Sequence, residues 1–176
     1  MVGSIGMSRG GYCLKGVFCG GVLILLTLLS SLSYAAGLRV SPSDITLKNV
    51  PLGVVYDFEK ERSVFLKIYN DCDETGTYDI SSIKSSEINN VPDGYGDIPD
   101  QKWLYFEKER IEIGPHSVGK VKMYLKIPHD EGYYEKDWVV SVRVKTTPKA
   151  GGGISLACHP RIRIETLKSK DMELKP

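Results

Sequence analysis

The chain has 176 residues, of which 41% are hydrophobic and 26% are charged, as is typical of a globular domain. This length allows one domain and leaves little room for two. Two of the 23 basic residues and none of the 22 acidic residues lie in residues 1–36, so the remainder carries 21 basic against 22 acidic residues. A near-neutral body argues against binding of nucleic acid, which needs a basic surface.

Residues 1–36 have the pattern of a secretory signal peptide. Two basic residues precede an apolar run from Val17 to Leu32, and small residues surround the expected cleavage site after Ala35 or Ala36. The apolar run is short for a membrane span, which needs about 20 residues. An uncleaved anchor is the alternative. We therefore expect an exported protein, periplasmic or extracellular, with no membrane span once the signal is removed.

Two of the four cysteines, Cys13 and Cys19, would leave with the signal peptide. Cys72 and Cys158 then remain as an even pair in an oxidising compartment, where disulfides persist. A bridge that closes a loop of this length would stabilise the protein by about 4–5 kcal/mol in the chain-entropy model. Two separately buried thiols are the alternative.

Apolar and polar residues alternate in nearly every segment after residue 37. A period of two places one face of a strand in the core and the other in water, which is typical of antiparallel sheets. No window of 11 or more residues has a convincing helical period. The charged stretches 59–62 and 107–110 could each form one helical turn. The alternating segments are 64–68, 121–127, 138–145 and 154–164.

Turn residues separate these segments, and the longest irregular stretch is about 88–101. Seven or eight short strands in about 140 residues predict an all-β fold, a single immunoglobulin-like antiparallel β-sandwich. We assign residues 37–166 to this sandwich and residues 167–176 to a short charged tail. The Cys-Trp-Cys spacing of antibody domains is absent.

Few side chains are arranged for catalysis or for metal binding. His116, His129 and His159 are far apart in sequence, whereas a zinc site uses closely spaced donors. The segment Asp71 to Ser82 begins like a calcium loop, but its twelfth residue is a serine where such a loop needs a glutamate. This segment is better interpreted as a hairpin turn. We expect no enzyme activity, no metal and no cofactor.

The order of several short motifs is similar to that of one protein family. A first strand with an arginine, Gly37 to Pro42, precedes a strand that ends at Asn70 and a Gly-Thr-Tyr strand start at Gly76. The last strand ends in Arg-Ile-Arg-Ile at residues 161–164. This pattern resembles the N-terminal immunoglobulin-like domain of periplasmic chaperone–usher (pilus-assembly) chaperones, or a related bacterial surface sandwich. The resemblance spans about residues 38–165.

The resemblance implies protein binding through the last strand. In that family an arginine on the first strand and a lysine on the last strand hold the C-terminal carboxylate of a pilus subunit, and Arg39 and Arg163 stand at these positions. Apolar residues of the last strand complete the subunit's sheet, and here they are Ile154 and Leu156, with Cys158 next in the alternation. Main-chain pairing gives affinity in such complexes, and alternate side chains give specificity. An arginine can hold a carboxylate bidentately.

The function expected is therefore that of a non-enzymatic exported protein-binding domain. It would act like a chaperone in the assembly of pili or other surface structures and bind its protein partners by edge-strand addition, without nucleic acid. The alternative is a stand-alone structural or adhesive immunoglobulin-like module of the cell envelope, in which Arg39 and Arg163 are surface cations. Pro160 interrupts the last strand and favours an edge or bulge position there.

Overall fold

The computed structural model describes residues 37–148 and 155–168. The predicted signal peptide, Ile154 and residues 169–176 of the predicted tail lie outside the described residues. One α-helix, α1 (Phe58–Arg62), and three short 3₁₀-helices (Ser85–Ile88, Gln101–Trp103 and Glu131–Tyr133) accompany the strands in the described part of the chain. The strands are β1 (Leu38–Ser41), β2 (Asp44–Val50), β3 (Tyr56–Asp57), β4 (Leu66–Asn70), β5 (Gly76–Ile83), β6 (Gly96–Asp97), β7 (Leu104–Phe106), β8 (Arg110–Ile113), β9 (Ser117–Val121), β10 (Met123–Leu125), β11 (Asp137–Thr146), β12 (Ala157–Cys158) and β13 (Arg161–Thr166).

These strands form a β-sandwich, as the alternation predicts. The large sheet has the strand order β2-β13-β11-β5-β8, and the short strands β12 and β6 also pair with β11. The first small sheet has the order β1-β4-β9, and the second has the order β3-β10-β7. Pairing is antiparallel except between β2 and β13 and between β6 and β11. The predicted all-β fold is confirmed.

The core lies between the large sheet and the two small sheets. On β13, Ile162 and Ile164 are buried while the residues between them lie on the outer face, as a half-buried strand requires. The central strand β11 contributes Val140, Val142 and Val144, each 0% exposed. All five belong to one hydrophobic cluster with residues of β4 and β10. Burial of this apolar surface is the main stabilising term of the sandwich.

The chain changes sheet within a few residues at several points, and two of these changes determine which strand edges stay open. β1 pairs with β4 in the first small sheet, but after the cis Ser41–Pro42 bond β2 pairs with β13 in the large sheet. In the same way, β7 pairs with β10 in the second small sheet, and β8 pairs with β5 in the large sheet. As a result, β2 pairs with β13 but not with the preceding strand β12, and β8 pairs with only part of β5.

The two charged stretches behave differently. Residues 59–62 lie in α1, where the Asp57 carboxylate accepts hydrogen bonds from the N–H groups of Glu59 (2.9 Å) and Lys60 (3.3 Å). Such an N-cap satisfies backbone donors that a helix leaves unpaired. Ser63 ends the helix in the left-handed region, at φ 54°. Residues 107–110 form no helix and instead lead from β7 into β8.

The first part of the long stretch 88–101 packs on the outer face of the large sheet, and its later part pairs with β11 through β6 and enters the core at Ile98. The Asn90 side-chain oxygen accepts a hydrogen bond from Arg161 at 3.2 Å, and the Tyr95 hydroxyl donates to Glu165 at 3.0 Å. Ile98 is 0% exposed. This stretch therefore covers part of the sheet instead of forming an open loop.

The predicted disulfide between Cys72 and Cys158 is not formed, and both residues are free thiols in the structure. The reason is their placement. The Cys158 thiol lies against the carbonyl oxygen of Leu38 on β1 at 3.5 Å. Cys72 lies in the turn between β4 and β5, where its carbonyl accepts from the His116 N–H at 3.2 Å. Both thiols are half-buried, in keeping with the alternative of two separate thiols.

Asn70 fixes the end of β4, where the sequence predicts that the strand ends. Asn70 is 1% exposed. Its side-chain amide nitrogen donates to the carbonyl oxygens of Glu74, Ile113 and Gly114 at 2.7, 3.0 and 2.9 Å. Its amide oxygen accepts from the Cys72 N–H at 3.2 Å. One buried side chain thus ties β4, the next turn and the loop after β8 together.

We expect Asn70→Ala to lower the free energy of unfolding by about 2–4 kcal/mol, because it leaves several buried backbone groups without a hydrogen bond. Urea denaturation followed by tryptophan fluorescence measures the change. Lys67→Ala on the same strand is the control and should change stability by less than about 0.5 kcal/mol. Equal stability of the two variants would contradict this role of Asn70.

Candidate protein-binding edge

The outer edge of β12 is the candidate binding site. β12 pairs with β11 on its inner side. The next strand, β13, also pairs with β11, and β2 pairs with the outer side of β13. Because β1 has joined the first small sheet, no strand within the described residues pairs with the outer side of β12.

Alternate backbone groups of β12 point away from β11. The Thr146 N–H donates to the Leu156 carbonyl at 2.9 Å, and Val144 lies opposite Cys158 in the same register. In an antiparallel pair the bonded residues alternate, so the N–H and C=O of Ala157 and His159 point outward. Where β2 begins, the outward Arg161 N–H donates to the Ser43 carbonyl at 2.9 Å, so this direction suits strand pairing.

The side chains at this edge are mainly apolar or neutral. Leu156 is half-buried, and its N–H donates to the Thr146 hydroxyl at 2.8 Å. Burial raises the pKa of the Cys158 thiol, which favours the neutral form. Burial and the nearby cation of Arg143 lower the pKa of His159, which also favours its neutral form. A neutral edge does not repel an incoming strand.

Pro160 separates β12 from β13, in line with the interruption expected from the sequence. It lies at a position whose backbone faces β11, where its carbonyl accepts from the Val142 N–H at 2.8 Å. Its missing N–H removes one hydrogen bond to β11, and pairing with β11 resumes in the same register at Arg161. Pro160 thus lies between the segment that β2 pairs with and the segment that β2 leaves open.

Arg39 lies on the outer face of the first small sheet and is largely exposed. Its guanidinium donates to the two carboxylate oxygens of Asp71 at 3.2 and 3.3 Å, and it lies 4.1 Å from the centre of the Tyr69 ring. The hydrogen bond with Asp71 raises the pKa of Arg39. This arginine already has both an anionic and an aromatic partner within the chain.

Arg163 lies on the outer face of the large sheet, half-buried between Ile162 and Ile164. It shares Asp44 with Arg161: the Asp44 carboxylate lies 3.1 Å from the Arg163 guanidinium and 2.6 Å from that of Arg161. Asp44 is the first residue of β2, so this cluster holds β2 against β13. Sequence reasoning missed Asp44, because its partners follow it by more than 100 residues.

The structure does not bring Arg39 and Arg163 together. Each points away from the core, and they lie on different sheets of the sandwich. One carboxylate therefore cannot contact both guanidinium groups in this conformation. Leu156 lies next to β12 at the open edge, while Ile154 lies outside the described residues.

Metal-binding geometry and membrane-spanning geometry are both absent from the described part of the chain. No group of three or more His, Cys, Asp or Glu residues there could hold a metal ion. No helix in residues 37–148 or 155–168 has the length and apolar character needed to cross a membrane.

The lowered pKa of His159 makes stability depend on pH. The folded protein binds this proton less readily than the unfolded chain, so the neutral form's contribution to stability is complete above the ordinary pKa of 6.5 and declines as the pH falls below it. Between about pH 7.5 and about pH 5.5, we expect the melting temperature of the wild type to fall more than that of His159→Gln. The exposed-histidine variant His129→Gln is the control and should follow the wild type. An identical pH response of His159→Gln and the wild type would contradict this effect.

Comparison with known proteins identifies the fold. No protein-family model and no curated protein sequence matches the chain. Among solved structures, PapD-like domain 7 of human CEP192 has a TM-score of 0.54 at 12% identity, covering 77% of this chain and 88% of that one. The periplasmic chaperone SfaE has a TM-score of 0.51 at 8% identity, and the match covers 74% of this chain.

The chaperone SafB of Salmonella enterica, solved in complex with the pilin SafA, has a TM-score of 0.51 at 6% identity and matches 75% of this chain. This chain spans only 58% of SfaE and 55% of SafB. The resemblance to chaperone immunoglobulin-like domains is thus confirmed at the level of fold. The chain has a PapD-like β-sandwich fold, which it shares with periplasmic chaperones and with a human PapD-like domain.

Proposed function

We propose that this chain is an exported, non-enzymatic domain that binds an extended segment of a partner protein along the outer edge of β12. Its role is chaperone-like, in the assembly of pili or related surface structures. The observation that carries this proposal is the pair of outward backbone positions, Ala157 and His159, with which no strand pairs within the described residues. The shared fold of the chaperone SafB, solved with its pilin, supports it.

The chemistry of the edge supports strand addition. Proteins protect exposed strand edges with charged side chains, prolines or covering loops, because an open edge pairs with other chains. β12 itself consists of Ala157 and Cys158 and contains none of these. Leu38 and Val40 of β1 lie against the core beside this edge and are only partly buried. A partner strand could therefore form main-chain hydrogen bonds with β12 and place alternate apolar side chains near β1.

A stand-alone structural or adhesive module is the second candidate, and one observation favours it. Arg39 is paired with Asp71, and Arg163 is paired with Asp44. A chaperone that holds a subunit's C-terminal carboxylate would need at least one of these pairs to open. A structural module that binds its neighbour through β12 alone would need no such change.

Ala157→Pro tests the binding edge. The substitution removes one outward N–H and leaves the inward hydrogen bonds of Leu156 and Cys158 in place. The full chain is affinity-tagged and expressed in its own host, and the co-purified protein partner is measured by quantitative mass spectrometry. We expect the amount of partner recovered with Ala157→Pro to be at least about tenfold lower than with the wild type. Ala157→Val retains the N–H and is the matched control. Full recovery of the partner by Ala157→Pro, with an unchanged melting temperature, would contradict the proposal.

The intact mass of the exported protein tests the proposed location. We expect a product that begins at Ala36 or Gly37, and labelling with a maleimide after denaturation without reductant should add two equivalents, one at Cys72 and one at Cys158. A product that retains residues 1–35 would contradict export by a cleaved signal. A mass that shows no labelling would contradict the free thiols.

A further inference from the structure

A second open strand edge lies on the opposite side of β11 from β12. β5 pairs with β8 from Gly76 to Asp79, and the next residue, Ile80, still donates its N–H to the Glu109 carbonyl at 2.7 Å. β7, the strand that precedes β8 in the chain, does not continue this pairing, because it pairs with β10 in the second small sheet. In the described residues, β5 from Ser81 to Ile83 thus pairs with β11 on one side and with no strand on the other.

The backbone of Ser82 points toward this open side. The Thr147 N–H donates to the Thr77 carbonyl at 2.9 Å, so odd-numbered residues of β5 bond to β11. The bond from Ile80 to Glu109 shows that even-numbered residues face the other way. Ser82 is the first even-numbered residue beyond the end of that pairing.

The edge of β7 faces the same space. The Glu107 N–H donates to the Lys122 carbonyl at 3.0 Å, so odd-numbered residues of β7 bond to β10. Phe106 therefore directs its N–H and C=O away from β10. A cavity of about 460 Å³ is lined by Ser82 on one strand and by Leu104 and Phe106 on the other. Two strand edges with outward backbone groups thus border one groove of a volume that suits a short peptide.

The groove carries opposite charges near the two ends of β7. Lys102 precedes β7 and Glu109 follows it, both are exposed, and both line the cavity. Neither forms an ion pair with any described residue, whereas the neighbouring Arg110 is neutralised by Asp79 at 2.6 Å. A ligand with one acidic and one basic side chain would complement these two charges.

An exposed aromatic side chain lines the groove beside these charges. Tyr105 is 40% exposed, and its ring stacks on that of Tyr124 with centroids 5.3 Å apart. Because stacking already holds the Tyr105 ring in place, binding of a ligand would cost this side chain little conformational entropy. The ring offers an apolar contact for a side chain of an extended ligand.

We propose that this groove between β5 and β7 binds an extended peptide segment of a second protein, with an acidic residue beside Lys102 and a basic residue beside Glu109. Main-chain hydrogen bonds to Ser82 and Phe106 would provide the strand pairing, and the two charges would select the sequence. This goes beyond the binding at β12, because the two edges lie on opposite sides of β11 and can be occupied independently.

The test uses three capped heptapeptides with the same central sequence, Thr-Val-Thr-Val-Thr, titrated into the isotope-labelled exported protein and followed by NMR. One carries glutamate and lysine at its two ends, one carries two lysines, and one carries two glutamates. We expect the mixed peptide to bind at least about tenfold more tightly than the other two. The largest amide shifts should be those of Ser82 and Phe106.

Charge-reversal variants provide the specificity control. Lys102→Glu should prefer the peptide with two lysines, and Glu109→Lys should prefer the peptide with two glutamates. A mixed peptide with N-methylated backbone amides keeps its charges and should not bind. Ala157→Pro should bind the mixed peptide as the wild type does, which separates this site from the edge of β12.

Three results would overturn the proposal. The first is the absence of amide shifts with the mixed peptide at about 1 mM, a concentration at which a weak site is occupied. The second is equal binding of the N-methylated peptide, which would show that charge alone holds the ligand. The third is a set of shifts centred on Ala157 and His159 instead of Ser82.

Discussion

The open edges of the sandwich depend on two of the points at which the chain leaves one sheet for another. A strand is paired on both sides only where its neighbours stay in the same sheet, so a neighbour that changes sheet leaves the rest of that edge without a strand partner. The change from β1 to β2 uncovers β12, and the change from β7 to β8 uncovers the end of β5. The ion cluster of Asp44 with Arg161 and Arg163 fixes the first change, because it ties the start of β2 to β13.

These edges differ in chemistry, and the difference separates their proposed ligands. The edge at β12 is neutral and lies beside apolar residues of β1, which suits an apolar strand. The groove beside β5 has a cation, Lys102, and an anion, Glu109, neither of which forms an ion pair among the residues that the structure describes, and this suits a segment with both charges. Because the two edges lie on opposite sides of β11, the two proposed ligands would not compete for the same backbone groups.

Local patterns predict much of this fold, because burial repeats every second residue along a strand. The alternation predicts the strands around Val140 and Ile162, and Asn70 ends its strand where the sequence predicts. Contacts between distant residues could not be predicted in this way. The partners of Arg39 and Arg163, and the separation of Cys72 from Cys158, depend on strand register and on the points where the chain changes sheet. Neither leaves a periodic signal in the sequence.

Hydrogen exchange of backbone amides, resolved residue by residue by NMR, tests the two uncovered edges most directly. Amides that bond to β11 should exchange slowly, whereas outward amides without a strand partner should exchange near the rate of an open chain. We predict protection of Ser81, Ile83 and Cys158 and rapid exchange of Ser82 and Ala157. If the amides of Ser82 and Ala157 exchange as slowly as those of Ser81, Ile83 and Cys158, both edges are covered, and this account is contradicted.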